Sequence, residues 1–380
     1  MQYRVVGDTG ISVSALGFGT MRFNGPENAA EIIDYGLAKG ITYFDIGAAY
    51  AYKSFDENAE VWAGNAIADV PREKMVLSAK AQPRYGDPKT DANLNINTRD
   101  DMWKCIENSL KRVGVEYFDF YQLWDMSADD HFAAACEGPD SPLQAMREAK
   151  EQGLVKQLGF TSHAKPENTV EYLKAIPDFR FVTIYYNFND RGPEIVLDYC
   201  KENSVGVCIM GPLRGGILTG KSETFSSALP EFSDATMQEI ALRFLFATPG
   251  VSTVISGMNT TDQVDQNAAV AELQAMSLEN REAFMQAFVD YTHGEPLCTG
   301  CRYCADCCPQ GLPVPEAMSL YQLSQVFGLS SMNAQIASLD GSDKWDPVAC
   351  VDCGICVGKC PQDLPIPDRM SRLSKLSKSM

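Results

Sequence analysis

Long apolar runs are missing from this 380-residue chain. No stretch of about 18 apolar residues occurs, so no membrane-spanning helix is expected. Met1-Gln2-Tyr3-Arg4 leads into alternating polar and apolar residues instead of an apolar block, so no export signal is expected. Positive charge is scarce: 32 Lys and Arg face 50 Asp and Glu, a net charge of −18. Nucleic-acid binding wants a basic patch, and the acidic balance argues against it. The tail from Arg369 to Lys378 is basic, but its scattered charges read as a solvated end. An acidic exterior chiefly favours solubility. Gly17-Phe18-Gly19-Thr20-Met21-Arg22 lacks the third glycine of a dinucleotide-binding turn, which argues against a doubly wound sheet.

Cysteine, by contrast, is abundant, at 13 residues. Cys298, Cys301, Cys304 and Cys308 precede Pro309, and Cys350, Cys353, Cys356 and Cys360 precede Pro361. Both runs read C-x2-C-x2-C-x3-C-P, the spacing of bacterial-type [4Fe–4S] sites. Three closely spaced cysteines wrap a loop around three corners of a cube, and the fourth corner comes from the other run. One cluster is therefore assigned to Cys298, Cys301, Cys304 and Cys360, and the second to Cys350, Cys353, Cys356 and Cys308. Zinc fits less well, because an all-thiolate site usually draws on two separated CxxC pairs. Disulfides fit poorly with a chain expected in the reducing cytoplasm. Cys307 is a rival ligand to Cys308, but Pro309 follows Cys308 as Pro361 follows Cys360, which favours Cys308. Cys105, Cys136, Cys200 and Cys208 lie in apolar segments and read as inert core residues.

Before the cysteine runs, short apolar segments alternate with amphipathic ones. A hairpin at the start (Tyr3–Val6, turning at Gly7-Asp8-Thr9-Gly10) precedes eight strand candidates. These are Ala15–Gly19, Tyr43–Ile46, Met75–Lys80, Phe118–Trp124, Val155–Thr161, Phe181–Asn187, Val205–Met210 and Val251–Ser256. Such runs suit parallel strands buried on both faces. Eight stretches with the i, i+3, i+4 apolar pattern follow them, Arg99–Val113 among them, several stopped by Gly40, Gly114 or Gly153. The expected fold is α/β: a (β/α)8 TIM barrel over residues 1–290. Residues 291–380 are expected to form a small, mainly helical ferredoxin-like domain that the clusters hold folded. Glu316–Phe327 and Asn333–Leu339 carry its helical periodicity.

In a barrel of this kind, residues at the C-terminal strand ends line the site. Asp45, Tyr50 and Lys80 fall there. The stretch Tyr43-Phe44-Asp45-Ile46-Gly47-Ala48-Ala49-Tyr50 resembles the F-D-T-A-x-x-Y segment of the aldo/keto reductases. Lys80 matches that family's strand-end lysine. Leu158-Gly159-Phe160-Thr161-Ser162-His163, Tyr186-Asn187, Gly211-Pro212-Leu213-Arg214-Gly215-Gly216 and Val254-Ile255-Ser256-Gly257-Met258-Asn259 resemble its later motifs in order. The resemblance covers roughly residues 1–275, and the tail resembles the ferredoxin extension of one bacterial and archaeal branch.

The resemblance implies carbonyl reduction by hydride from NADP(H), with NAD(H) as the alternative. Tyr50 would be the proton donor, its pKa lowered by cationic Lys80, with Asp45 orienting the lysine. Tyr52 is a rival donor less well spaced from Asp45. Thr161, Ser162 and Asn187 would meet the nicotinamide amide. Pro212, Leu213 and Gly216 would meet the pyrophosphate, and Gly257, Met258, Gln263 and Asn267 the adenosine end. No lysine or arginine stands at Gly257–Thr261 to clamp a 2′-phosphate, so NADP rests on the resemblance alone.

Three positions depart from the pattern: Trp124, Thr183 where the family has a glutamine before its Y-N pair, and Gly211 before Pro212. The family has a histidine at the end of its fourth strand, where this chain reads Tyr121-Gln122-Leu123-Trp124. An indole donates a hydrogen bond but does not titrate. Trp124 either offers a flat platform for an aromatic or conjugated substrate or simply packs the core. His163 either polarises a substrate or is an ordinary histidine; His131 and His293 fall in expected loops and carry no role. The leading expectation is an oxidoreductase on a small-molecule substrate whose clusters exchange single electrons with a ferredoxin or flavoprotein. The alternatives are a reductase with purely structural clusters, or an electron-transfer subunit whose barrel has lost nucleotide chemistry.

Overall fold

A computed structural model describes residues 1–81, 96–188, 192–216, 218–221, 232–292, 295, 298, 302–327 and 349–378. Cys301, His293 and the expected helix Asn333–Leu339 lie outside the described residues. The chain divides into two compact units. One comprises Met1–Tyr186, Gly192–Pro212 and Leu245–Ala275; the other comprises Asn187–Arg191, Leu213–Phe244 and Met276–Met380.

The first unit begins with an antiparallel hairpin, β1 (Tyr3–Val5) and β2 (Ser12–Ser14), in register Tyr3 to Ser14. Eight parallel strands then close a barrel: β3 (Leu16–Gly19), β4 (Tyr43–Asp45), β5 (Val76–Ala81), β6 (Phe118–Leu123), β7 (Val155–Ser162), β8 (Phe179–Tyr185), β9 (Gly206–Met210) and β10 (Val251–Ser256). Each strand pairs with the next in sequence, and β10 pairs with β3. The expected barrel is therefore the fold.

Helices follow the strands. They include α1 (Pro26–Ala38), α2 (Ala59–Ile67), α3 (Arg99–Val113), α4 (Asp129–Cys136), α5 (Pro142–Glu151), α6 (Pro166–Ala175) and α7 (Glu194–Glu202), and then Met237–Ala247 and Thr261–Glu272. Thr98 and Asp101 form a capping box that starts α3, and Gly114 in the left-handed conformation ends it. The helix α4, which has little amphipathic pattern, was not expected, and it places His131 on a helix instead of in a loop. Among the described residues, no helix is long and apolar enough to cross a membrane.

Side chains two apart on a strand share a face, so the interior of the barrel is built in layers. Tyr43, Val76, Phe120, Phe181, Cys208 and Ile255 form a lower apolar layer, with Val6 and Val13 of the hairpin packed against it. Moving up two residues on four of those strands gives Asp45, Ser78, Gln122 and Thr183. The interior thus changes from apolar to polar within one step along the strands. All four polar residues are almost fully buried, so each needs a partner.

The second unit carries helices Leu278–Thr292, Val314–Phe327, Ile355–Gly358 and Ile366–Lys378. Val314–Phe327 packs on Ile366–Lys378. Their core contains Leu312, Val314, Met318, Tyr321, Leu364, Ile366, Met370 and Leu373.

Candidate active site and cysteine centre

The partners of the buried polar layer are its own members. Lys80, two residues up from Ser78, donates from Nζ to Asp45 Oδ2. Gln122 Nε2 donates to the other carboxylate oxygen, Oδ1, at 3.1 Å, and to Ser78 Oγ at 2.8 Å. Thr183 Oγ1 donates to Gln122 Oε1 at 2.6 Å. Asp45 is thus held from both sides, and the carboxamide that holds it is itself fixed. Sequence reasoning missed Gln122 and Ser78 and read Thr183 only as a departure from the pattern. Strand parity through Asp45 and Lys80 was the signal that points to them.

Tyr50 and Trp124 stand above this layer, both half-buried. Their ring centroids are 4.9 Å apart with an edge-on tilt of 67°. Lys80 Nζ lies 5.1 Å from the Tyr50 ring centroid and 5.6 Å from that of Trp124. Asp45, Tyr50, Lys80 and Trp124 are therefore brought together. Gly47 makes the approach possible, because a Cβ there would lie 3.2 Å from the Tyr50 ring and 3.4 Å from Lys80 Cε.

Burial drags the Lys80 ammonium toward neutrality, but the charges of Asp45 and Tyr50 outweigh it and hold the pKa above the ordinary lysine value. For Tyr50 the expected lowering is not found. Desolvation in the crowded strand-end site pushes the phenol up, and Lys80 only partly offsets this. Burial also raises Asp45, against the pull of Lys80. Desolvation lowers His163 in spite of Asp125, so its imidazole is neutral at pH 7.

The expected nucleotide contacts fall at successive strand ends. Thr161 Oγ1 accepts from Asp125 N at 2.8 Å, and Ser162 Oγ donates to Met126 O at 2.9 Å. Both side chains brace the loop after β6, where Asp125 takes a left-handed φ of 68°. Asn187 is buried just beyond β8. Gly257 and Met258 follow β10. Gln263 Oε1 accepts from Asn259 N at 2.8 Å, and Asn267 Nδ2 donates to Ser256 Oγ at 3.0 Å, so both side chains shape that loop.

After β9, the turn containing Pro212, Leu213 and Gly216 has left-handed φ angles at Gly211, Arg214, Gly215 and Gly216. Arg214 is 6% exposed, and its Nε and Nη1 have no hydrogen-bond partner among the described residues. A buried guanidinium with unsatisfied donors beside such a turn suits an anionic ligand. Sequence reasoning quoted this arginine without giving it a role.

In the second unit, the described cysteines form no disulfide. Cys304 belongs to the small apolar core, and Cys298, Cys307, Cys308, Cys350, Cys356 and Cys360 pack against it. The two runs are interleaved. Cys298 and Cys360 both lie within electrostatic reach of the Arg369 guanidinium. Cys307 lies within reach of Cys353 and Cys356. Cys353 is exposed. Among the described residues no three ligand-type side chains converge on a single ion, but a four-iron cube holds its thiolates at four separate corners, farther apart than the ligands of one ion. An undisulfided, all-cysteine donor set drawn from two interleaved runs fits two such cubes. By contrast, burial pushes the core thiol of Cys105 up to about 11 and those of Cys136, Cys200 and Cys208 to about 12. These stay protonated.

Comparison with known proteins finds two family matches along the chain. Residues 15–284 match the model of the aldo/keto reductase family. The chain belongs to the aldo/keto reductase family. Residues 297–364 match a 4Fe-4S dicluster domain. The chain is 26% identical over 306 residues to the uncharacterized oxidoreductase YqkF of Bacillus subtilis, covering 74% of this chain and 95% of that one. It is 25% identical to an L-galactose dehydrogenase of Arabidopsis thaliana, over 73% of this chain and 91% of that one. Among solved structures, the holo form of aldo-keto reductase AKR11C1 from Bacillus halodurans superposes with a TM-score of 0.64 at 26% identity. That match spans 76% of this chain and 96% of AKR11C1. The protein is thus an aldo/keto reductase-like oxidoreductase with an iron–sulfur-type extension.

Proposed function

We propose that residues 1–290 form an NADP(H)-linked oxidoreductase acting on a carbonyl or conjugated small molecule, and that residues 291–380 hold two [4Fe–4S] clusters that exchange single electrons with a ferredoxin or flavoprotein in the cytoplasm. The observation that carries the reading is the arrangement of Asp45, Lys80, Tyr50 and Trp124. A phenol capable of giving a proton stands beside an ammonium kept charged by a carboxylate that Gln122 fixes from its other side.

The nucleotide would bring the hydride. Tyr50 would give its proton to the oxygen, or to the carbon that becomes basic in a conjugated acceptor. Lys80 stabilises the phenolate that results, and Asp45 keeps Lys80 charged and aimed. The half-buried indole of Trp124 stands where the family carries histidine and would bind a flat substrate by its face. The orphaned donors of Arg214 suit the pyrophosphate.

The clusters would be bound by Cys298, Cys301, Cys304 and Cys360 and by Cys350, Cys353, Cys356 and Cys308. Such clusters pass electrons singly, whereas hydride moves two together. An anaerobic calorimetric titration of the reconstituted protein with NADPH and then NADH tests the reading. Micromolar binding of NADPH is expected. If neither nucleotide bound, the barrel would have no dinucleotide chemistry and the proposal would fail.

A further inference from the structure

The second unit is a tandem repeat with an offset of 52 residues, shown by Cys308-Pro-Gln-Gly-Leu-Pro-Val-Pro and Cys360-Pro-Gln-Asp-Leu-Pro-Ile-Pro. The backbone repeats as well. Gly311 N donates to Cys308 O at 2.9 Å, and Asp363 N to Cys360 O at 3.1 Å. Ala317 N donates to Pro313 O at 3.0 Å, and Arg369 N to Pro365 O at 3.1 Å. Gly311 and Asp363 share a left-handed φ, as do Arg302 and Gly354. Leu312 and Leu364, Val314 and Ile366, and Met318 and Met370 are matched pairs in one core.

The match breaks at one buried position. Where the first repeat has Ala317, the second has Arg369, and both are almost fully buried. Arg369 is 1% exposed and lies over the Tyr321 ring at 5.0 Å. Its guanidinium is within electrostatic reach of Cys298 and Cys360, one from each run. The nearby acid, Glu295, is within reach of Arg369, accepts from Tyr321 at 2.7 Å and pairs with Arg372 at 2.6 Å. Asp368 is likewise paired with Arg372, and its counterpart Glu316 with Arg302. A guanidinium stays protonated even where burial pulls its pKa down. The break in the repeat therefore puts a buried guanidinium within reach of Cys298 and Cys360, whereas Lys359, the described cation within reach of Cys307 in the other set, is exposed to solvent.

Resting on the reading that both clusters bind, we propose that Arg369 sets the two clusters apart in potential, making the one held by Cys298, Cys301, Cys304 and Cys360 the easier to reduce. Taking up one electron adds one negative charge to a cluster, with no bond made or broken. A fixed cation in a poorly screened interior stabilises that added charge. The second cluster has, among the described residues, only the exposed Lys359 near Cys307, whose charge water screens, and keeps the lower potential. Cys353, on the lower-potential set, is the exposed one among the described cysteines. Electrons arriving there would run downhill toward the Arg369 side.

The test is an anaerobic potentiometric titration followed by electron paramagnetic resonance, on the full chain with iron and sulfide measured. The donor is dithionite, each cluster taking one electron. The wild type is expected to show two one-electron steps. Arg369→Gln should shift the upper step down by a factor of about ten in the reduced-to-oxidised ratio, ~59 mV for one electron, and leave the lower step in place. Arg369→Lys should keep the wild-type separation. Equal shifts of both steps, or none, would overturn the proposal, as would a Lys variant that behaves like Gln. If Arg369→Gln fails to load iron, ligand variants decide the matter: Cys360→Ser should perturb the upper step and Cys308→Ser the lower. The reverse order overturns the proposal while leaving the two-cluster reading intact. A wild-type protein that never takes up about eight irons overturns both.

Discussion

The indole of Trp124 meets the phenol of Tyr50 edge-on, with ring centroids 4.9 Å apart, and the Lys80 ammonium lies within 6 Å of both rings. Because it is half-buried at the strand end, Trp124 belongs to the site and not to the barrel core. Its indole, which does not titrate, stands beside Tyr50 where the family has a histidine. Trp124→His should therefore change substrate preference. It is expected to raise kcat/KM for small aliphatic aldehydes about tenfold, less than the ~100-fold or more of a full general acid, because Tyr50 remains the proton donor. Preference for aromatic or conjugated carbonyls should fall together with the lost stacking surface. A competition assay with paired aliphatic and aromatic substrates reads the ratio directly, and an unchanged ratio would remove Trp124 from specificity.

The Tyr50–Lys80 approach depends on Gly47 having no side chain. A Cβ at this position would crowd the phenol ring at 3.2 Å and Lys80 Cε at 3.4 Å, tighter than most real contacts. Gly47→Ala should push Tyr50 off line by a few tenths of an ångström and cost about tenfold in kcat, less than the ~100-fold of a 1 Å misplacement. Nucleotide affinity should stay near wild type, because no expected nucleotide contact involves Gly47. Steady-state kinetics beside calorimetry separates the two effects. A matching loss of nucleotide binding would mean that the substitution disturbs the barrel more widely.

The barrel itself was legible because its strands are buried on both faces and its helices are punctuated. Val251–Ser256 and Arg99–Val113 have the bounds that their apolar runs and flanking residues imply. The strand expected at Phe181–Asn187 instead runs from Phe179 to Tyr185, because hydrophobicity continues past the last ladder bond into Tyr186. The short helix Asp129–Cys136 was illegible for a different reason: its DDHFAAAC sequence gathers polar residues at one end and apolar ones at the other, so it shows no stripe. At the site, Asp45 and Lys80 could be read from the motif, but Gln122 and Thr183 could not. Their role lies in a hydrogen-bond chain across four strands, which one-dimensional spacing does not reveal. The net rise in the Tyr50 pKa likewise depends on how much water the folded site excludes.

That rise fixes the pH dependence of reduction. The proton donor works when protonated, so activity is retained below the phenol pKa and lost as pH climbs through it. Desolvation lifts this pKa above the usual tyrosine value of about 10, and Lys80 is the group that pulls it back down. The alkaline limb of kcat for carbonyl reduction should therefore lie above pH ~10. Lys80→Met should move it still higher while lowering kcat about 100-fold or more, because the phenolate loses its counter-charge. A limb that moves to lower pH in the variant would mean that Tyr50 is not the titrating acid.

Cys307 and Cys308 present the sharpest choice among the ligands. Cys307 Sγ donates to Cys304 O at 3.1 Å, an interaction that its thiol makes without metal. Cys308 is the repeat counterpart of Cys360, down to the matching turn hydrogen bonds from Gly311 and Asp363. Cys308→Ala should therefore cost about four of eight irons, whereas Cys307→Ala should keep all of them. Removing iron altogether with a chelator should go further. The core around Leu312, Met318, Leu364 and Met370 is small, and a module of that size is poorly stable without its metal. Limited proteolysis of the apo chain should cut within residues 291–380 and leave the barrel intact, and nucleotide binding measured on the same sample should persist. Retention of all iron in Cys308→Ala, with half lost in Cys307→Ala, would exchange the two assignments.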